Sequence, residues 1–381
     1  MSQRETGQAS QEEEPPAPVD RAAHRNVLGI AKGGSFLAAG DLFNYLSRTV
    51  SALVLAKALG ASNYGLYNLA VSASFVFSGV ADFGMEAAME RFIAVYRRRD
   101  DHHGVRGSIQ VGVWVTLVFS LFLTLVMLLF SPWLAATLFH EPDLKILLQL
   151  FAFIVPVLAL TNILSAVARG YKRMDHSAFA YDFVQPLVRV VLIVILAFIG
   201  LDAMAASIIF GISYVAALIV LIRLTRREMR LRTPTVPPRR DVKDLTTFSL
   251  PFWLTSLMTK IRRNLQALLL GAFNSATSVG IFSLVSSANL IGRISNLAIS
   301  TSMRPVLAEL FDADDMEEMD RLYKTTTRWT LTLNLPIFLV MVIYPEPILA
   351  LFGKSFVAGA AALVVLAGSE LANAITGTCG S

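Results

Sequence analysis

Apolar residues run in bilayer-length stretches along most of this chain, with polar residues gathered in short gaps between them. A hydrocarbon core about 30 Å thick needs roughly 20 apolar residues in a helix. On that criterion the pattern predicts ten membrane helices, at 34–58, 64–93, 109–131, 146–167, 179–199, 203–223, 247–271, 278–303, 328–345 and 357–378. The predicted fold class is therefore all-α, a polytopic membrane protein. Ahead of the first span, residues 1–25 are polar, acidic and proline-bearing without apolar periodicity, which predicts a disordered tail and excludes a signal peptide.

One segment conflicts with its own length. Residues 249–271 are long enough to cross a bilayer, yet Lys260, Arg262 and Arg263 lie near the middle. A cation at the bilayer centre costs roughly 2.5–3.5 kcal/mol on insertion scales, so such residues face a partner or a wet cavity. Ser256, Thr259, Lys260, Arg263 and Asn264 share one helical face, while Leu257, Ile261, Leu265 and Leu268 lie on another. This pattern predicts a membrane helix lining something polar. Arg262 falls about 100° off that stripe and is free to pair or snorkel elsewhere.

Similar stripes recur. Asp41, Asn44, Tyr45 and Arg48 share a face of the first helix, and Ser74, Ser78, Asp82, Glu86 and Glu90 one of the second. Ser286, Asn289, Arg293, Asn296 and Ser300 do so in the eighth. Local ion pairing, for instance of Arg48 with Asp82 or Glu86, is the plain explanation for any single charge. It does not cover the set, because Arg48, Arg189, Lys260, Arg262, Arg263 and Arg293 outnumber Asp41, Asp82, Glu86 and Glu370. Surplus cations in a cavity call for an anion.

The chain also resembles itself. YGLYNLAVSAS from Tyr64 and VGIFSLVSSAN from Val279 align at an offset of 215, so that Gly65 meets Gly280, Tyr67 meets Phe282 and Ser72 meets Ser287. At an offset of 213, Arg91 meets Arg304, Pro132 meets Pro345, and Leu138-Phe139 meets Leu351-Phe352. Two repeats of six helices keep one orientation, related by an axis along the membrane normal. The expected organisation is a tail at 1–25, a six-helix bundle at 26–223, a cytoplasmic linker at 224–246 and a second bundle at 247–381. Ser381 then corresponds to Ala168, so the second bundle is expected to hold four helices and to lack the counterparts of the fifth and sixth.

Charge sets the orientation. Lys and Arg concentrate in the gaps 97–106, 169–176, 223–243 and 304–328, and the alternate gaps are nearly free of them. The positive-inside rule places those gaps and both termini in the cytoplasm. The 303–327 stretch reads as an amphipathic or solvated helix between two spans. The net charge of +5 follows the same loops, so it reflects membrane orientation and predicts no nucleic-acid partner.

Composition agrees, at 55% hydrophobic, 16% charged and a mean hydropathy of +0.58. A single cysteine, Cys379, offers neither a disulfide within the chain nor a thiolate cluster. No phosphate-binding glycine loop, HExxH or extramembrane acid pair is present, so neither an enzyme nor a metal or other cofactor is expected.

LGASNYGLYNLAVS (59–72), FGMEAAMERFIA (83–94), RPVLAEL (304–310) and LFGKSF (351–356) give the chain a resemblance to the Wzx-type polysaccharide flippases. That family lies within the multidrug/oligosaccharidyl-lipid/polysaccharide exporter superfamily. The resemblance implies two six-helix bundles around a cationic cavity. It also implies alternating-access transfer of a polyprenyl-pyrophosphate-linked oligosaccharide across the cytoplasmic membrane. On this reading Arg48, Lys260, Arg263 and Arg293, with Arg189, hold the pyrophosphate or sugar. Asp41 and Glu86 are the candidates for proton or sodium coupling, and a polysaccharide polymerase or other assembly protein is a candidate partner. A multidrug or cation exporter, a membrane enzyme of polysaccharide assembly and a non-transporting assembly partner remain the alternatives.

Overall fold

The computed structural model describes residues 18–234, 236–289, 310 and 315–376, with side chains from residue 40 to 374 except Asp41. Among them all regular structure is helical: α1 (Pro18–Ala81), α2 (Met85–Arg98), α3 (His102–Trp133), α4 (Leu144–Gly170), α5 (Met174–Ala178), α6 (Gln185–Ala197) and α7 (Ala203–Arg232). Then follow α8 (Val242–Phe273), α9 over 276–289, α10 (Met316–Ile343), α11 (Pro345–Ala350) and α12 (Ala360–Thr376). Among the described residues seven helices are long and apolar enough to cross a membrane: Leu42–Ala81, His102–Leu138, Leu144–Gly170, Met174–Ala197, Ala203–Arg232, Met316–Ile343 and Lys354–Ala374. This is a multi-pass membrane protein.

The structure redraws several expected boundaries. Residues 59–63, expected as a loop, are replaced by one kink in α1, where Gly60 takes φ 71° and ψ 173°. Such a conformation is cheap only for glycine. The chain folds back there, since Asn44 and Phe75 line one cavity although a straight helix would hold them roughly 45 Å apart. The expected span 64–93 is broken at residues 82–84, where Phe83 (φ 44°) and Gly84 (φ 69°) are left-handed. A Cβ on Gly84 would lie 2.1 Å from the Ser249 carbonyl oxygen, so the break lets the backbone of α8 come close.

α1 begins at Pro18, inside the stretch expected to lack structure, and proline suits the first helical turn because its missing N–H has no partner to lose there. The remainder of that tail lies outside the described residues. α7 continues to Arg232, so the linker shortens to 233–241 and is strapped to the start of α3. His103 Nδ1 lies 2.7 Å from the Pro237 carbonyl oxygen, and Arg106 donates to that of Val236. Arg239 pairs with Asp101 and Asp241 and stacks on Tyr96. Burial, then the bond to the Asp241 carboxylate, raises the Tyr96 phenol above its ordinary range.

α4 forms the centre of the first half, packed against α1, α2, α3 and α7. Tyr67, Phe151 and Phe210 meet there with ring centroids 5.3–6.5 Å apart, each pair contributing about 0.5–1.5 kcal/mol beyond area burial. This cluster fixes Tyr67 with its hydroxyl turned to α6. The two halves touch along α1, α8 and α9. A Cβ on Gly65 would lie 1.7 Å from the Ala276 carbonyl oxygen, and one on Gly280 would lie 1.9 Å from that of Ala61. Ala61 and Ala276 differ by 215, as do Gly65 and Gly280, so the contact is reciprocal at the offset of the sequence repeat.

Candidate functional site

Polar side chains at helical spacing open one cavity between α1, α6, α7 and α9. Asn44, Arg48 and Ala52 come from the first arm of α1, and Tyr64, Tyr67, Asn68, Val71 and Phe75 from the second. Gln185 and Arg189 of α6, Phe210 and Tyr214 of α7 and Ser287 of α9 complete a space of about 250 Å³. Among the described residues no carboxylate lines it. Arg189 donates to the Tyr67 hydroxyl at 2.9 Å and lies 5.4 Å from the Phe210 ring centroid, while its Nε is buried without a partner. Among the described residues Arg48 makes no ion pair or hydrogen bond. Asn44 donates to Asp182 at 2.8 Å. The result is a cationic, aromatic and amide-lined chamber, chemistry that suits an anion carrying hydroxyl groups.

A second space of about 390 Å³ lies between α2, the end of α4 and α8. The face of α8 expected to line something polar does so: Ser256, Thr259, Lys260 and Arg263 all border it. Opposite stand Glu86 and Glu90, both bound by Arg169 at 2.9 and 3.1 Å. Arg169 also donates to Ser165 Oγ at 3.0 Å, so one guanidinium is shared between two carboxylates and the cluster keeps a formal charge of −1. Arg262 borders neither space.

A polar chain joins the two. Lys260 forms an ion pair with Asp82, which is 1% exposed in its side chain. Asn162 donates to Asp82 at 3.4 Å and accepts from the Tyr181 hydroxyl at 2.6 Å. Tyr181 lines the first chamber. The helix break at 82–84 places Asp82 at this junction, and its Oδ1 is buried without a hydrogen-bond partner. Trp253 of α8 donates to the Val80 carbonyl oxygen at 3.2 Å, and the Phe83 and Trp253 rings lie 5.5 Å apart, holding the contact closed.

The predicted site residues thus divide. Arg48 and Arg189 share the first chamber, and Lys260 and Arg263 the second space. Glu86 is tied to Arg169. Arg293 and the side chain of Asp41 lie outside the described residues. Sequence reasoning missed Tyr67, Asn162, Tyr181 and Arg169. The first three are isolated polar residues in apolar stretches, and Arg169 was counted with the basic loop that follows it. Among the described residues no three or more His, Cys, Asp or Glu side chains group to hold a metal ion.

Comparison with known proteins agrees with this architecture. A family model described as Polysaccharide biosynthesis protein matches residues 30–311, and one described as MatE matches 251–379. The chain is 27% identical over 186 residues to Stage V sporulation protein B of Bacillus subtilis (strain 168), covering 49% of this chain and 34% of that protein. It is 25% identical over 290 residues to a probable lipid II flippase MurJ of Rhizobium meliloti (strain 1021), covering 71% of this chain and 53% of that one. The matches thus span about half or less of those relatives' own length. In fold it is similar to an inward-facing multidrug resistance MATE family transporter of the MOP superfamily, with a TM-score of 0.63, 12% identity and 89% of this chain and 84% of that one covered. It is similar also to a lipid II flippase MurJ in an inward closed conformation, at a TM-score of 0.61, 13% identity, and coverage of 90% and 76%. With a family model spanning well over half of its residues, this chain belongs to the polysaccharide biosynthesis protein family of the multidrug/oligosaccharidyl-lipid/polysaccharide exporter superfamily.

Proposed function

We propose that this chain moves polyprenyl-pyrophosphate-linked oligosaccharides across the cytoplasmic membrane by alternating access, without catalysing a covalent change. The observation that carries this reading is the first chamber, where Arg48 and Arg189 face a space whose lining, among the described residues, holds no carboxylate. A pyrophosphate leaving the headgroup region needs such cations, because uncompensated charge in a low-dielectric site is costly. Tyr64, Tyr67 and Phe210 offer apolar faces to a sugar ring, and Asn44, Asn68 and Gln185 offer hydrogen bonds to its hydroxyls. The polyprenyl tail stays in lipid. At about 250 Å³ the chamber suits the charged end of such a substrate and its first sugar rather than a whole glycan.

On this reading the two halves are the 26–223 and 247–381 bundles, the basic gaps and the N-terminus face the cytoplasm, and Arg263 receives the phosphate in the second space, with Lys260 joining it only when it leaves Asp82. Asp82, buried between Lys260 and Asn162, is a better candidate for ion coupling than Glu86, which Arg169 occupies. A second reading, export of a cationic drug, draws on Glu86 and Glu90 beside the second space. It is weakened by Arg169, which holds both acids, and by Lys260 and Arg263, which border the same space.

Proteoliposomes containing a fluorescent polyprenyl-pyrophosphate oligosaccharide separate the two. Protein-dependent exposure of the glycan to an external quencher, with no transport of a cationic dye, supports the flippase reading. Dye transport without glycan flipping supports the exporter.

A further inference from the structure

One face of α7 is exposed along its whole length and changes character once. Met204, Ile208, Ile212, Val215 and Ile219 are each 41–47% exposed, and at 100° per residue they fall within an arc of roughly 80°. In a membrane protein such a face meets lipid tails. Continued by helical spacing, the same face passes through Arg223, Arg226 and Arg230. At 1.5 Å per residue Arg223 stands roughly 28 Å from Met204, so the arginines begin about one hydrocarbon thickness along the helix, at headgroup depth.

These arginines are not used inside the protein. Arg223, Arg226, Arg227 and Arg230, with Leu231, border a shallow cavity of about 350 Å³. Among the described residues none of the four makes an ion pair or side-chain hydrogen bond. The one acid within α7, Glu228, points to the opposite side of the helix, is buried, and is bound by Arg173 at 2.5 Å and Arg232 at 2.7 Å. Guanidinium forks that continue a lipid-facing stripe match the phosphate of a headgroup lying directly beneath the tails that cover that stripe.

We infer that the Arg223, Arg226 and Arg230 face of α7 binds an acidic phospholipid of the adjacent leaflet, its phosphate on the arginines and its acyl chains along Ile212 to Ile219. The site lies apart from both spaces described above and does not depend on the transported substrate.

Binding of fluorescent phosphatidylglycerol and of fluorescent phosphatidylcholine to the purified full chain in neutral detergent tests this. Each basic residue at an anionic surface is worth roughly five-fold in partitioning, so the expected preference for phosphatidylglycerol is about ten-fold or more. Arg223→Gln/Arg226→Gln/Arg230→Gln removes that preference, and the corresponding triple lysine variant keeps most of it. If the triple glutamine variant is misfolded, Arg226→Gln alone is expected to lose about five-fold. Inorganic phosphate and glycerol 1-phosphate compete poorly, because they lack the tails. An unchanged preference in the glutamine variants overturns the inference. So does competition by inorganic phosphate equal to that of the lipid, which would mark a site for free anions.

Discussion

Gly65 and Gly280 face one another across the contact between the two halves, each backbone so close to the other that neither tolerates a side chain. The relation is reciprocal, with Gly65 against Ala276 and Gly280 against Ala61, and it supports an origin by duplication with an axis passing between the glycines. Because the obstructing atoms are backbone, they cannot swing aside. Gly65→Ala and Gly280→Ala are each expected to destabilise the protein by about 1–3 kcal/mol, the usual range for overpacking. Gly368 is the control: nothing lies within 4 Å of a Cβ there, so Gly368→Ala leaves the detergent melting temperature unchanged or raises it. Equal melting temperatures for Gly65→Ala and the parent protein would remove this contact from the account.

The Lys260–Asp82 pair predicts a different pattern. Asp82 is enclosed, so removing its partner strands a buried charge, and Lys260→Met is expected to cost about 3–5 kcal/mol. Adding Asp82→Asn removes the stranded charge and returns much of that loss. Thermal unfolding of the two single variants and the double variant gives the coupling between the residues. Strictly additive losses would show that the pair is not an energetic unit.

The linker strap is weaker and more exposed. The Arg239 side chain is about half exposed, so solvent screens its pairs with Asp101 and Asp241, and Arg239→Ala barely moves the melting temperature. The expected change is local. Limited proteolysis cuts residues 233–241 faster in the variant, and equal cleavage rates would mean that the bonds from His103 and Arg106 hold the strap without it.

Much of this arrangement was legible in the chain. Helical spacing was enough to put Ser256, Thr259, Lys260 and Arg263 on one face, and that face borders a cavity. The repeat located Gly65 and Gly280 before any contact between them was visible. Partners were not legible, because pairing across helices depends on rotation and depth, which one sequence does not encode. Lys260 and Arg48 looked alike along the chain, yet Lys260 is spent on Asp82 while Arg48 is unpaired among the described residues. Hydropathy marked the interruption at 59–63, where Gly60 turns the chain, but not the break at residues 82–84. Two left-handed residues, Phe83 and Gly84, redirect the helix there without ending the helical pattern, so the span 64–93 read as continuous.

The central claim is that Arg48 and Arg189, in a chamber lined by no carboxylate among the described residues, recognise the phosphate of a lipid-linked glycan. Flipping of a fluorescent polyprenyl-pyrophosphate oligosaccharide in proteoliposomes tests it most directly. The comparison is between the parent chain, Arg48→Gln, Arg189→Gln and, as a control outside both spaces, Arg262→Gln. Loss of a charge-assisted contact of about 1.5–3 kcal/mol slows flipping roughly ten- to a hundred-fold in the first two variants and leaves the control unaffected. Flipping at the parent rate by well-folded Arg48→Gln and Arg189→Gln would contradict the claim and leave the chamber without a role in recognition.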